Sequence, residues 1–323
     1  MPIVTVFGGS GFIGRYVAKK LAKQGWRVRC AVRRPNEAQF LKPYGDVGQV
    51  EPIQANIRDE ASTLRAIRGA DAVINLVAIL YPTGKQTFDA VQLEGAERIA
   101  RLCAAEGVNN LVHISAIGAD ADSEMAYART KGLAEQAVLK HVPSATILRP
   151  SLVFGEEDQF FNRFAKMARM LPVMPLIGGD TKFQPVYVGD VAQAAVNALG
   201  DGAATGQTFE LGGPEVVTMR EIYEIIFEET RRKRLMISVP WWIAKVQAWF
   251  AEIPNRLLGL PPLITRDQVE MLKLDNVVAE DAKGLSDLGI TPTTMDAILP
   301  TYLYMYRPYG QYARMKPGAE TVE

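Results

Sequence analysis

Tyr127-Ala128-Arg129-Thr130-Lys131 sets a phenol and an ammonium four residues apart, on one face of a helix. In that register a lysine holds the hydroxyls of a bound ribose while its charge lowers the tyrosine pKa toward the range of proton transfer. An ordinary exposed helix face has the same spacing. A second pattern opens the chain. Ile3 to Phe7 is an uncharged, β-branched run, followed by Gly8-Gly9-Ser10-Gly11-Phe12-Ile13-Gly14 and by the helical pattern Arg15 to Ala22. Glycines at 8, 11 and 14 let the backbone turn sharply, approach a pyrophosphate with no Cβ in the way, and pack the following helix on the strand. The free N–H groups that open the helix form an anion site. A plain strand-to-helix turn shares the glycines, but strand, glycines and helix together read as a dinucleotide-binding loop.

The elements that must position these groups follow from apolar periodicity. Val28 to Val32, Val50 to Gln54, Ala72 to Val77, Leu111 to Ser115 and Thr146 to Leu148 read as strands two to six. Helical patterns separate them at Asp59 to Ile67, Glu94 to Glu106 and Met125 to His141. The alternation predicts an α/β fold, a Rossmann-type doubly wound parallel sheet covered on both faces. Ligands in such sheets sit beyond the carboxyl ends of the strands. That gathers the Gly8 loop, the end of strand two, Asn56 and Ile57, Val77 and Ala78, and Ser115 around one crevice.

The residues after strand two select the dinucleotide. A carboxylate there would bond the adenosine ribose of NAD, whereas this chain reads Val32-Arg33-Arg34-Pro35. Two cations suit a 2′-phosphate, so NADPH is the expected cofactor; a solvated loop is the bland alternative. Arg15 adds to the case, since a cation in the first helical turn opposes the helix dipole by about 0.3–1 kcal/mol and a bound phosphate reverses that.

Composition narrows the rest. The 323 residues, 48% hydrophobic and 22% charged, can bury a sizeable core. With 36 basic and 36 acidic residues nothing global points to nucleic acid. Cys30 and Cys103 lie far apart and cannot combine with His113 and His141 into a usual metal set, so no metal is expected. A first strand from residue 3 leaves no room for a signal or transit peptide, and no apolar run reaches the roughly 18 residues of a spanning helix. The expected place is the cytosol, or a membrane surface facing it.

The G-x-x-G-x-x-G spacing resembles the short-chain dehydrogenase/reductase superfamily in its extended and atypical branches. The resemblance makes Tyr127 and Lys131 the acid/base pair, because the family keeps Y-x-x-x-K in the helix between strands five and six. It also implies that strand five ends in a Ser/Thr run whose relay hydroxyl comes about two residues after the first Ser. Here Ser115-Ala116-Ile117-Gly118 puts Ile117 at the relay position and leaves Ser115 as a stand-in, so the machinery reads as partly dismantled. Arg149-Pro150-Ser151-Leu152-Val153-Phe154-Gly155 is similar to the segment that passes the nicotinamide, which adds Pro150 and Val153 to the cofactor residues.

Beyond strand six the alternation loosens. Phe160 to Met170 reads as a helix, Gln184 to Val191 as a short strand whose Asp190 caps a helix to Leu199, and Thr208 to Leu211 as a strand. Residues 1–150 are expected to form the NADP(H)-binding domain, and 151–323 a smaller α/β lid and docking region interleaved with it. Arg149 to Ala165, Gln184 to Val191, Ile264 to Val269 and Asp287 to Ile290 are similar to the nucleotide-binding accessory subunit of respiratory complex I. That likeness implies a tightly held NADPH, a stabilising rather than catalytic role, other complex I subunits as partners, and peripheral contact with membrane lipid. With no presequence, a bacterial homologue on the cytoplasmic face of the inner membrane is expected; a stand-alone reductase or epimerase using Tyr127, Lys131 and Ser115 is the alternative. Read without the likeness, Arg231-Arg232-Lys233-Arg234 beside Trp241, Trp242, Trp249 and Phe250 suits an anionic lipid surface or a partner groove. Trp242, Val246 and Trp249 at helical spacing equally suit a core helix. The tyrosine-rich tail, 302–312, suits an interface core or a segment folded back on its own domain.

Overall fold

The computed structural model describes residues 1–200, 202–258, 262, 264–310 and 312, without the side chains of 254–258. Residues 259–261 and 263 of the apolar run 257–264 therefore lie outside the described residues. In β1, Ile3–Phe7, the interior residues Val4, Thr5 and Val6 are fully buried. Chain order continues with α1 (Phe12–Lys23), β2 (Arg27–Val32), β3 (Val50–Gln54), α2 (Glu60–Ile67), β4 (Ala72–Asn75) and α3 (Glu94–Ala105). Then come β5 (Leu111–Ile114), α4 (Ala126–His141) and β6 (Thr146–Pro150). Among the described residues the main sheet has seven parallel strands in the order β11-β6-β5-β4-β1-β2-β3, the outermost being β11, Thr208–Leu211. The order reverses between β1 and β4, and Val6 lies opposite Cys30 on one side and Ile74 on the other. β3 holds the other edge, where Pro52, without an N–H to give to a neighbour, is tolerated.

Burial on both faces explains the uncharged strands. On one face Val17, Ala18 and Leu21 of α1 pack with Val191, Ala194 and Ala195 of a later helix against Val4, Val6 and Val28. On the other, Ala66 and Ile67 of α2, Ile99 and Cys103 of α3, and Ala134 and Val138 of α4 cover Phe7, Val73 and Ile147. Cys30 and Cys103 are both buried free thiols, pushed up to about 12 by burial.

The remaining elements are β7 (Val153–Phe154), α5 (Phe161–Met170), β8 (Val173–Leu176), β9 (Lys182–Phe183), β10 (Val186–Tyr187) and α6 (Val188–Gly200), which is the later helix packed on α1. After β11 follow β12 (Val217–Thr218), α7 (Met219–Glu229), β13 (Leu235–Ser238), α8 (Trp241–Leu258), α9 (Arg266–Met271) and α10 (Met295–Leu303). Three small ribbons pair β7 with β10, β8 with β13 and β9 with β12. A second core joins Phe154, Phe161, Met174, Ile222, Ile226, Leu299 and Tyr302. A third, small one sets Ala244 and Ala248 of α8 against Val269 of α9.

Two expectations change, and an open alternative is decided in part. Strand four stops at Asn75, because the Asn75 Oδ1 accepts the Val77 N–H at 3.1 Å and turns the chain. Asp190 is not a cap residue: α6 starts at Val188, and Asp190 accepts from the Thr293 N–H at 2.7 Å and its hydroxyl at 3.0 Å. The tail resolves toward its own domain at Tyr302, which is buried and donates to the Asp158 carboxylate at 2.6 Å, and at Tyr306, which donates to the Asn162 Oδ1 at 3.0 Å. Tyr309 and Tyr312 are exposed.

Candidate functional site

The strand order reverses between β1 and β4, and it is at the carboxyl ends of the strands beside such a reversal that sheets of this kind take their ligands. Gly8 turns there with φ +80°, and a Cβ on it would stand 3.4 Å from Val77, so the loop after β1 meets the loop after β4. Gly14 fixes the next step, since a Cβ there would lie 2.2 Å from the Gly8 carbonyl oxygen. Helix and strand can approach this closely only with glycine at that position. α1 then starts at Phe12 with no side-chain cap and no acidic residue in its first turn. Gly9, Ser10, Gly11, Phe12 and Ile13 thus surround a helix end whose first N–H groups are open to an anion.

Arg15 behaves differently from the expectation. Its guanidinium pairs with Glu157 at 2.9 Å, Tyr16 donates to the same carboxylate at 2.8 Å, and the Phe40 ring lies 5.1 Å away. The charge at the first turn is already met by a carboxylate from the β7–α5 connection. Arg34 likewise pairs with Glu37 at 3.0 Å on the open surface. Arg33 donates to Gln86 and lines a cavity of about 320 Å³ with Gln54, Ala55, Asn56, Asp59, Ser62 and Arg65. Asn56 turns the chain into α2 by taking the Arg58 N–H at 3.2 Å, while buried Ile57 gives its carbonyl to Arg98 at 2.6 Å. Ala78 follows Val77 in the loop after β4.

At the far end, the Ser115 N–H bonds the Leu148 carbonyl at 2.7 Å, and its buried Oγ has no partner among the described residues. Ile117 N–H bonds the Pro150 carbonyl at 3.1 Å, which leaves a buried isoleucine near where a relay hydroxyl was sought. Val153 is held in β7 against Val186. Tyr127 and Lys131 lie on α4 as the spacing predicts, but the lysine does not tune the tyrosine. Lys131 is buried, donates to the Ile114 carbonyl at 3.0 Å, and is pushed down to about 8 by desolvation against the pull of Glu135. Tyr127 packs edge-on to Phe88 with ring centroids 5.9 Å apart, and burial alone pushes its phenol up to about 12. Near neutral pH the phenol stays protonated, and no nearby charge prepares it to give up the proton. Behind them His113 is held neutral, at about 3, by burial and by the Lys131 charge.

α4 is tied down along its length and at its N-terminus. Arg149 of β6 forks onto Glu135 at 2.6 and 3.0 Å and reaches Glu210 of β11 at 3.4 Å. At the N-terminus the Asp267 carboxylate accepts from the Ala126 N–H at 3.2 Å and the Tyr127 N–H at 3.0 Å. This cap comes from α9, about 140 residues downstream. Asp267, Glu157 and Arg65 were not singled out by sequence; the Thr265/Gln268 capping box marks the start of α9 but says nothing of where Asp267 points.

The residues present fit a dinucleotide. The loop leaves no room for a Cβ at Gly14 and turns through positive φ at Gly8, the α1 end is open, and the orphan Ser115 hydroxyl lies beyond strand five. No group of three or more His, Cys, Asp or Glu residues that could hold a metal occurs among the described residues.

The pattern of the NAD dependent epimerase/dehydratase family matches residues 4–212. The "NADH dehydrogenase (ubiquinone) 1 alpha subcomplex subunit 9, mitochondrial" of Arabidopsis thaliana is 38% identical, over 95% of this chain and 79% of that protein. The "NADH-ubiquinone oxidoreductase 40 kDa subunit, mitochondrial" of Neurospora crassa is 36% identical, over 95% and 80%. The crystal structure of the Thermus thermophilus UDP-glucose 4-epimerase in complex with NAD superposes with a TM-score of 0.67 at 19% identity, over 95% of this chain and 99% of that one, and shows the shared fold.

Proposed function

The chain belongs to the NAD dependent epimerase/dehydratase family, and from that premise we propose that it is an accessory subunit of an NADH:quinone oxidoreductase of the complex I type, holding NADPH without turning it over. One observation carries the reading. The likeness to the mitochondrial subunits covers 95% of the chain at up to 38% identity, well past residue 212 where the family pattern ends. It therefore includes α7 to α10, the part that a stand-alone reductase would shape around its own substrate. The state of Tyr127 and Lys131 supports the same reading.

In this proposal residues 1–150 hold the nucleotide. The Gly8–Gly14 loop takes the pyrophosphate, Arg33 the adenosine 2′-phosphate, Asn56, Ile57, Val77 and Ala78 the adenine and its ribose. Ser115, Tyr127, Lys131, Pro150 and Val153 line the nicotinamide end. Bound there, the nicotinamide is a hydride carrier by chemistry; the side chains around it orient the ring and exclude water. Arg15 and Arg34 stay with Glu157 and Glu37 and take no part.

Residues 151–323 cover the crevice and dock. Trp242, Trp249 and Phe250 on the outer side of α8 are 68%, 46% and 60% exposed, so they do not anchor a core, and Ala244 and Ala248 take the inner side. Leu235 and Ile237 of β13, and Arg231 and Lys233 just before it in sequence, are exposed as well. Arg232 and Arg234 are committed to the Tyr306 and Ala168 carbonyls. Apolar rings rimmed by cations fit partner subunits and anionic lipid at the cytoplasmic face of a bacterial inner membrane. No described helix is long and apolar enough to cross one.

The test is deletion of the gene in its native host. Assembled NADH:quinone oxidoreductase, read on native gels, should fall, and the Tyr127→Phe chain should restore it as fully as the wild type. A deletion strain with normal assembly, or rescue that needs the Tyr127 hydroxyl, would refute the reading.

A further inference from the structure

The cavity of about 320 Å³ at the ends of β2 and β3 carries a cation that the β2 sequence does not reveal. Arg33 forms one wall. Across from it, on the second turn of α2, stands Arg65. Asp59 shares the α2 wall, yet its carboxylate is committed to the helix cap, accepting the Ser62 N–H at 2.8 Å, and the Ser62 hydroxyl bonds the Asn56 and Asp59 carbonyls at 3.3 and 3.2 Å. The acid on that wall is thus engaged, although it feels the field of Arg65. Arg34, next to Arg33 in sequence, does not line the cavity and pairs with Glu37. Among the described residues neither Arg33 nor Arg65 forms an ion pair within 4.0 Å, and the partner of Arg33 is the neutral Gln86.

A ribose hydroxyl is neutral and gains little from two guanidinium groups, whereas a phosphate dianion is bound by them with charge-assisted hydrogen bonds, each about twice as strong as a neutral one. We infer that Arg65, together with Arg33 and in place of Arg34, holds the adenosine 2′-phosphate and sets the preference for NADPH over NADH. This rests on the NADPH reading of the same crevice.

Arg65 is solvent-exposed and makes no contact on which folding depends, so its substitution leaves the chain intact. The full chain, freed of nucleotide by exchange, is titrated calorimetrically with NADPH and with NADH as wild type, Arg65→Gln and Arg34→Gln, with unliganded melting temperatures as the control for folding. Arg65→Gln should weaken NADPH about tenfold or more, leave NADH within about twofold, and keep the melting temperature; Arg34→Gln should weaken NADPH less than about twofold. Equal loss for both cofactors, or loss with Arg34→Gln and none with Arg65→Gln, overturns the assignment. A wild-type chain that prefers NADH overturns the NADPH reading itself, and the role of Arg65 with it; a wild-type NADPH preference that Arg65→Gln leaves intact overturns only this inference.

Discussion

Around the glycine loop, the uncapped α1 and the two-arginine cavity at the ends of β2 and β3 offer N–H groups and cations, while on α4 Tyr127 is pushed up to about 12 and Lys131 donates to a backbone carbonyl. In the proposed reading, binding and acid/base chemistry rest on different residues of one fold. Phosphate recognition needs open N–H groups and cations, which survive without any tuned proton donor. Proton transfer needs a phenol whose pKa lies near the working pH, and that requires a charge aimed at it. The two regions ask different things of their side chains, and four substitutions separate them.

The largest effect is expected at the binding end. Gly14→Val drives side-chain atoms into the Gly8 carbonyl, 2.2 Å from where the Cβ must go. It should destabilise the chain by about 3 kcal/mol or more and remove bound nucleotide, read by urea unfolding and by nucleotide released on denaturation. Normal stability would mean that the loop is looser than its geometry.

Next is the buried ammonium. Lys131 is lowered from 10.5 to about 8, so between those values the native state binds fewer protons than the unfolded chain. This group's contribution to stability is therefore unfavourable below pH 8 and improves as pH rises toward 10.5, by at most about 1.4 kcal/mol per pH unit. Cys30 and Cys103, raised from 9.0 to about 12, act in the opposite direction above pH 9. The wild-type stability curve should consequently rise relative to that of Lys131→Met from pH 8 to 10. Parallel curves would show an accessible, ordinary lysine.

Asp267→Ala comes third. Losing a carboxylate cap at α4 should cost about 1 kcal/mol, seen as a lower denaturation midpoint. Because the cap links α9 to the helix of Tyr127 and Lys131, hydrogen exchange should also quicken in the first turn of α4. The smallest effect is expected for Tyr127→Phe, within about 0.5 kcal/mol in stability and with unchanged NADPH content. A large loss of nucleotide there would make the two ends one working unit.

Much of this was legible in the chain. The βαβ alternation, the glycine loop and the placement of Tyr127 and Lys131 on one helix follow from periodicities of two and 3.6 residues, which report local faces. Pairings across the fold do not show in such patterns. Arg15 with Glu157 and Tyr127 N–H with Asp267 join residues about 140 apart, and Arg65 faces Arg33 only because β2 and β3 lie side by side. The raised Tyr127 pKa has a related origin: helical spacing puts Lys131 on the same face, but its buried ammonium donates to the Ile114 carbonyl, and burial raises the phenol. Composition likewise left α8 open between core and surface, because tryptophans at helical spacing suit either; the small Ala244 and Ala248 turned out to face inward.

The decisive measurement is to tag the chain in its native host, solubilise the membranes gently, and follow it on native gels with NADH:quinone oxidoreductase activity and mass spectrometry. Co-migration with that activity, and NADPH released from the band on denaturation, is the predicted result. A chain found wholly apart from the oxidoreductase, as a free monomer or dimer that reduces a substrate through Tyr127, would contradict it.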